Sequence, residues 1–182
     1  MEKEYGSRVV YGFHGTSEAA ARAILSEGFV LSANKYDWLG DGVYFFQDAP
    51  GRALEWAQRV HGHEVAVVGA KIDLVDCMDL LDIEWFKVLS DSYDRFLDRL
   101  KQSGLEAPRQ TAGAHRLDRE VINYCLGVLG EEDIHVRSVR AAFQEGQPAF
   151  PLSAIFNRSH VQLAVRDLEV IRETWLEKVG DE

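Results

Sequence analysis

Phe13-His14-Gly15-Thr16 and Trp38-Leu39-Gly40-Asp41-Gly42-Val43-Tyr44-Phe45-Phe46 are the two stretches from which the fold is read. Each sets a polar ring residue beside glycine, inside apolar flanks of β-forming type. Glycine has no Cβ, so it lets a backbone approach a flat polar ligand closely. Working outward, Arg8 to Phe13 reads as a strand that ends at His14. Thr16-Ser17-Glu18 supplies a cap and an acidic first turn for a helix over Ala19 to Ser26, which Gly28 ends. Phe29-Val30-Leu31 is expected to be a second strand and Val43 to Phe46 a third. Pro50 opens a helix to Val60, with Ala53, Trp56, Ala57 and Val60 on one stripe.

Further along, Val65 to Ile72 is an apolar run suited to a central strand. Asp79 to Gln102 keeps a helical period through Leu81, Trp85, Val88, Leu89, Tyr93, Phe96, Leu97 and Leu100. After a loop with Pro108 and Gly113, Leu117 to Leu129 reads as another helix. Ile134 to Phe143 alternates partly as a strand, Glu145 to Ser153 is a loop, and Val161 to Val165 is a strand that Glu169-Val170-Ile171 extends. No repeat or flexible linker interrupts the 182 residues, so residues 1–182 are expected to form one α+β domain.

The composition, 46% hydrophobic and 27% charged, is that of a soluble globular chain. No apolar run is long enough to span a bilayer, and Met1 to Tyr5 has no apolar core of a secretory signal. A cytoplasmic protein without membrane contact is expected. The two cysteines, Cys77 and Cys125, form no CxxC pair and read as reduced core residues, and no metal site is expected. His61-Gly62-His63 has no third ligand nearby and reads as a loop. A net charge of −10 removes any global pull on nucleic acid. A local basic strip from Arg137, Arg140, Arg158 and Arg166 remains open, with surface ion pairs as the plainer account.

The order strand–His-Gly-Thr, helix, Gly-Phe, loop, Gly-x-Gly-x-Tyr-Phe strand, alanine-bearing helix resembles the catalytic domain of poly(ADP-ribose) polymerases and of diphtheria-type toxins. The close stretch runs from about Val9 to Ala57. A weaker likeness covers Ser159-His160-Val161-Gln162-Leu163-Ala164-Val165-Arg166-Asp167, which is similar to the family's catalytic strand. The resemblance implies a split antiparallel β-sheet of the ADP-ribosyltransferase fold, with an inserted helical segment at about 79–130 that matches nothing in the family. It implies NAD as substrate, bound in the cleft between the strands bearing His14 and Tyr44.

The implied roles follow residue by residue. His14 bonds a ribose hydroxyl, and Gly15 pairs its backbone with the nicotinamide carboxamide. Tyr44 stacks under the nicotinamide ring, with Trp56 or Tyr36 as the second aromatic. Thr16, Ser32 and His160 complete the cofactor-binding set. The family's glutamate falls on Gln162, which can hold the ribose 2′-hydroxyl but carries no negative charge and is no general base. The catalytic set is therefore His14, Tyr44 and Gln162, with Asp118 and Glu120 as reserve acids.

The implied function is mono-ADP-ribosylation of a macromolecular acceptor, protein or RNA/DNA, by a bacterial toxin or anti-phage effector restrained by an antitoxin or inhibitor protein. The alternative is a catalytically inactive module of the same fold that binds NAD, ADP-ribose or a partner protein. Taken singly, His14 reads as a structural histidine, Tyr44 as a half-buried strand tyrosine and Trp56 as core; their joint order favours a ligand site.

Overall fold

The computed structural model describes residues 8–32, 37–110 and 115–179. Tyr36, Gly113 and the charged stretch Met1 to Tyr5 lie outside them. The strands are β1 (Val9–Ser17), β2 (Val43–Gln47), β3 (Val65–Asp73), β4 (Cys77–Asp79), β5 (Ser138–Phe143), β6 (His160–Val165) and β7 (Ile171–Glu177). The helices are α1 (Glu18–Glu27), α2 (Pro50–His61), α3 (Ile83–Gln102) and α4 (Arg116–Glu131). The strands form one seven-stranded sheet in the order β4-β5-β6-β2-β1-β3-β7. Each neighbouring pair is antiparallel except β4 and β5. The coarse α+β expectation is met.

Local chemistry accounts for the helix ends. The Ser17 hydroxyl accepts from the Ala20 amide and Asp82 caps α3 through the Glu84 amide. Gly28, at a φ of 90°, closes α1 by donating its N–H to the Ile24 carbonyl. Pro50 opens α2, where its missing N–H costs no bond.

Side chains of a strand alternate between faces, so the register assigns each to a layer. Val10, Val43, Phe45, Val68, Ala70, Ile72, Leu163 and Val165 share one face and pack with Ala21 of α1, Phe29 and Val170. On the opposite face, Phe13, Phe46 and Val67 pack under Ala53 of α2. Beside them, Val139, Ala141 and Ala164 pack under Ile122, Cys125 and Leu129 of α4 together with Leu39 and Met78. Helix α3 lies outside α4: Trp85, Val88 and Leu89 reach this cluster, and Ser92 is its buried residue.

Several expectations are corrected. His14, Gly15 and Thr16 lie inside β1 and not beyond its end, since β3 pairs with β1 as far as Ser17. Phe29-Val30-Leu31 is not a strand. Both edges of β1 are already taken, so Phe29 enters the core as irregular chain while Val30 stays 83% exposed. The long helix begins at Ile83 because Cys77–Asp79 joins the sheet edge beside β5. Residues 134–137 do not extend β5: the Ile134 amide closes the end of α4 on Leu129, and the Arg137 amide bonds Asp76. Leu81 and Tyr93, expected to face inward, are exposed. The segment 168–170 is a 3₁₀ turn before β7 and not strand.

Candidate functional site

The strands bearing the three motif segments are consecutive in the sheet, β6-β2-β1. The ladder between β1 and β2 holds Gly12↔Gln47 and Phe13↔Phe46. Beyond that point β1 keeps pairing with β3, and the β1–β2 edge opens at His14. The imidazole bridges the opening: His14 Nδ1 lies 2.8 Å from the Tyr44 carbonyl oxygen. A carbonyl only accepts, so Nδ1 carries the hydrogen and Nε2 is left as an acceptor. Phe29 stands edge-on to the ring at 5.4 Å and Phe45 lies at 5.9 Å. Burial here pushes the imidazole pKa below its ordinary value, and the bond to Tyr44 opposes this only in part.

Tyr44 takes the other face. Its hydroxyl accepts from the Leu39 amide and donates to the Gly40 carbonyl, each at 2.7 Å. The phenol thus closes the turn 38–42, and burial drives its pKa far upward. Gly40 sits at a φ of 81°, and a Cβ there would meet Asn123 Oδ1. The cleft expected between His14 and Tyr44, with both rings turned to one ligand, is not formed. Phe13 pairs with Phe46, so His14 falls in line with Phe45, one residue out of step with Tyr44. The two rings point to opposite sides of the sheet, joined through the Tyr44 carbonyl and not across a common slot.

Gly15 is paired with Val67 on β3. A Cβ on it would run into the Ala53 carbonyl, so its close approach is to helix α2. Thr16 is buried. Ser32 donates its hydroxyl to the Gly42 carbonyl at 3.1 Å, tying the loop to the start of β2. Trp56 packs against the Phe13–Phe46 cluster, with its ring 6.2 Å from His61.

Gln162 and His160 do come together, on the Tyr44 side of the sheet. His160 Nδ1 lies 2.7 Å from the Arg158 carbonyl and therefore donates to it. Its Nε2 then accepts from the Gln162 amide nitrogen at 3.0 Å. Burial lowers the His160 pKa and Arg52 reinforces the shift, while the bond to the Arg158 carbonyl and the neighbouring Glu145 oppose it. Phe143 stacks on this imidazole at 5.8 Å and Phe46 tilts against it at 4.9 Å. Trp38 continues the row, 4.9 Å from Phe143 and 3.7 Å from His115.

Sequence reasoning passed over Phe46, Phe143, Arg52, Glu55 and Glu145. The Arg52 guanidinium lies 5.4 Å from the Phe46 ring centroid and pairs with Glu55 and with Glu145, the latter at 2.9 Å. Arg158 pairs with Glu55. The remaining arginines of the suspected strip are also engaged: Arg137 with Asp167, Arg140 with Asp79, Arg166 with the Asp41 carbonyl. The reserve acids are engaged as well, Asp118 with His115 and Glu120 with Arg119. Cys77 and Cys125 are free thiols whose pKa values burial raises, that of Cys77 to about 11, so neither is a ready nucleophile.

No helix among the described residues is long and apolar enough to cross a membrane. No protein-family model and no curated protein matches the chain.

Proposed function

We propose that this chain is an NAD-dependent mono-ADP-ribosyltransferase acting in the cytoplasm on a macromolecular acceptor, protein or nucleic acid, as a toxin or anti-phage effector. The observation that carries the reading is the run β6-β2-β1: the strands bearing Gln162, Tyr44 and His14 are neighbours, and the β1–β2 ladder opens at the histidine. The opening is where a dinucleotide would lie. The His14 tautomer suits a ribose hydroxyl, because the Tyr44 carbonyl holds Nδ1–H and leaves Nε2 to accept. For Gln162 and His160, which stand on the Tyr44 face, to reach the same ribose as His14, the β1–β2 opening must widen on binding. Phe143 and Trp38, both half-buried, supply flat apolar surface beside the buried Phe46, while Tyr44 shapes the turn beside it.

In the reaction the C–N glycosidic bond breaks and its electron pair leaves with neutral nicotinamide. The acceptor's nucleophile forms the new bond to the anomeric carbon and gives its proton to surrounding water. His160 serves as a positioning group, since Nδ1 donates to the Arg158 carbonyl and Nε2 accepts from the Gln162 amide. Orientation of the reactants is the main contribution such a site makes, worth up to roughly 7–11 kcal/mol in well-aligned cases.

A second reading, a catalytically silent NAD- or ADP-ribose-binding module, is favoured by one observation: position 162 bears an amide already engaged with His160. Labelled NAD incubated with a cell lysate separates the two. Nicotinamide release with a labelled product, lost in His14→Ala and Gln162→Ala, supports the transferase. NAD binding without release in the wild type supports the module, and a melting temperature unmoved by millimolar NAD refutes both. Product that resists protease but not nuclease assigns the acceptor to nucleic acid.

A further inference from the structure

The segment between β5 and β6 is an ordered hairpin. The Ala149 amide bonds Ile155, the Asn157 amide bonds Gln147 and the Arg158 amide bonds Glu145. Its two ends are held to helix α2 by charge, Glu145 to Arg52 and Arg158 to Glu55. Arg52 also reaches Glu55, so three ion pairs link two cations and two carboxylates, and the backbone bond from Arg158 to Glu145 closes them into a ring. This ring stands next to His160: Phe46 touches both the imidazole and the Arg52 guanidinium, and Glu145 and Arg52 both act on the charge of His160.

We propose that this ring is an exchangeable latch, in which Arg52 gives up Glu145 to take a phosphate of the bound dinucleotide, freeing the hairpin. The proposal rests on the transferase reading for its ligand. Three observations carry it. Arg52 is the most enclosed member, its side chain 18% exposed against 32% for Glu145, 39% for Glu55 and 50% for Arg158. Its charge is therefore the one that a ligand entering beside Phe46 would meet in the least water.

Next, the carboxylates use only its terminal nitrogens, while Arg52 Nε is buried and has no partner. A planar guanidinium offers a side-on pair, Nε with Nη, that fits two phosphate oxygens, so exchange would satisfy the orphan donor. Finally, Glu145 holds Arg52 through a single bond, from Nη2, so a phosphate taking Nε and Nη2 together gains one more bond than it displaces. The apolar tip of the hairpin, with Phe150, Leu152 and Ile155 exposed, would move with the latch.

Inorganic pyrophosphate and ADP-ribose are the probes, titrated calorimetrically against the full chain. Arg52→Gln should weaken both at least tenfold. Glu145→Gln, which removes the competing carboxylate, should tighten both several-fold. Glu173→Gln, which removes a carboxylate paired with Lys71 far along the sheet, should leave both unchanged. On adding ADP-ribose, the Ala149, Asn157 and Arg158 amides should exchange faster with solvent. Melting curves identify any variant that has lost its fold, and Arg52→Lys, which keeps the charge without the fork, should recover only part of the binding.

Unchanged binding in a folded Arg52→Gln, weaker binding in Glu145→Gln, or unaltered exchange overturns the latch. Pyrophosphate binding through Arg52 in a protein that never releases nicotinamide leaves the latch standing and removes the transferase. Normal NAD turnover in Arg52→Gln does the reverse.

Discussion

Tyr44→Phe separates two jobs that the same ring can do. A stacking role needs only the ring, which phenylalanine keeps. The structure gives the hydroxyl a role of its own, since it accepts from the Leu39 amide and donates to the Gly40 carbonyl, both at 2.7 Å. Removing it leaves two backbone groups without partners in a half-buried turn. Each orphaned group costs about 1–3 kcal/mol, with water reaching a half-buried site favouring the lower end. The variant should therefore lose about 2–3 kcal/mol. In a domain of this size each kcal/mol moves the melting temperature by about 2–4 °C, so the expected fall is about 4–12 °C. Differential scanning calorimetry reads the fall, and exchange of the Leu39 amide should quicken. A melting temperature within about 1 °C of wild type, with NAD binding lost, would refute the reasoning and restore the ring or hydroxyl to direct ligand contact.

Gly15→Ala places a methyl group against the Ala53 carbonyl of α2, and overpacking of this kind costs about 1–3 kcal/mol. A lower denaturation midpoint at unchanged slope should report it, and a neutral result would mean that α2 moves freely on β1. His14 and His160 both have pKa values below the ordinary 6.5 in the folded chain, chiefly through burial. The unfolded chain then binds more protons below pH 6.5, so their contribution to stability is complete above that pH and is lost as pH falls through the folded values. Melting temperature followed from pH 7.5 to pH 5 should drop, and the drop should shrink in His14→Asn and in His160→Gln. An equal drop in those variants would place the titration elsewhere.

Elements carried by local signals were legible in the sequence. The Ser17 cap, Gly28 and Pro50 mark α1 and α2, and apolar runs, interrupted by Lys71 in one and Gln162 in the other, mark β3 and β6. Elements that depend on a distant partner were not. Cys77–Asp79 is strand only because β5 runs beside it, and Phe29–Leu31 fails as strand because β2 and β3 already flank β1. The site divides in the same way. That His160 and Gln162 share a face follows from their spacing alone. Which faces His14 and Tyr44 take depends on the Phe13↔Phe46 register, and neither segment contains that information. The Arg52–Glu145 pair joins residues 93 apart, and each reads in sequence as an ordinary surface charge.

Glu145 is where the latch meets the chemistry of position 162. Gln162 with two imidazoles can orient hydroxyls, but it offers no negative charge to an anomeric carbon gaining positive character. The carboxylate acting on His160 is that of Glu145, and in the closed ring Arg52 neutralises it. If phosphate takes Arg52, that neutralising partner is gone at the moment the dinucleotide is in place. Glu145→Gln should then move two quantities in opposite directions, tightening ADP-ribose while lowering the single-turnover rate of nicotinamide release. A purely structural clasp would weaken both together through a loosened hairpin, and a purely electrostatic obstacle to the anion would raise both. Only the divergence fits a carboxylate that competes for Arg52 before binding and faces the reacting sugar after it. Measuring affinity and single-turnover rate on one preparation of folded variant therefore tests the link between the two proposals, and movement of the pair in the same direction breaks it.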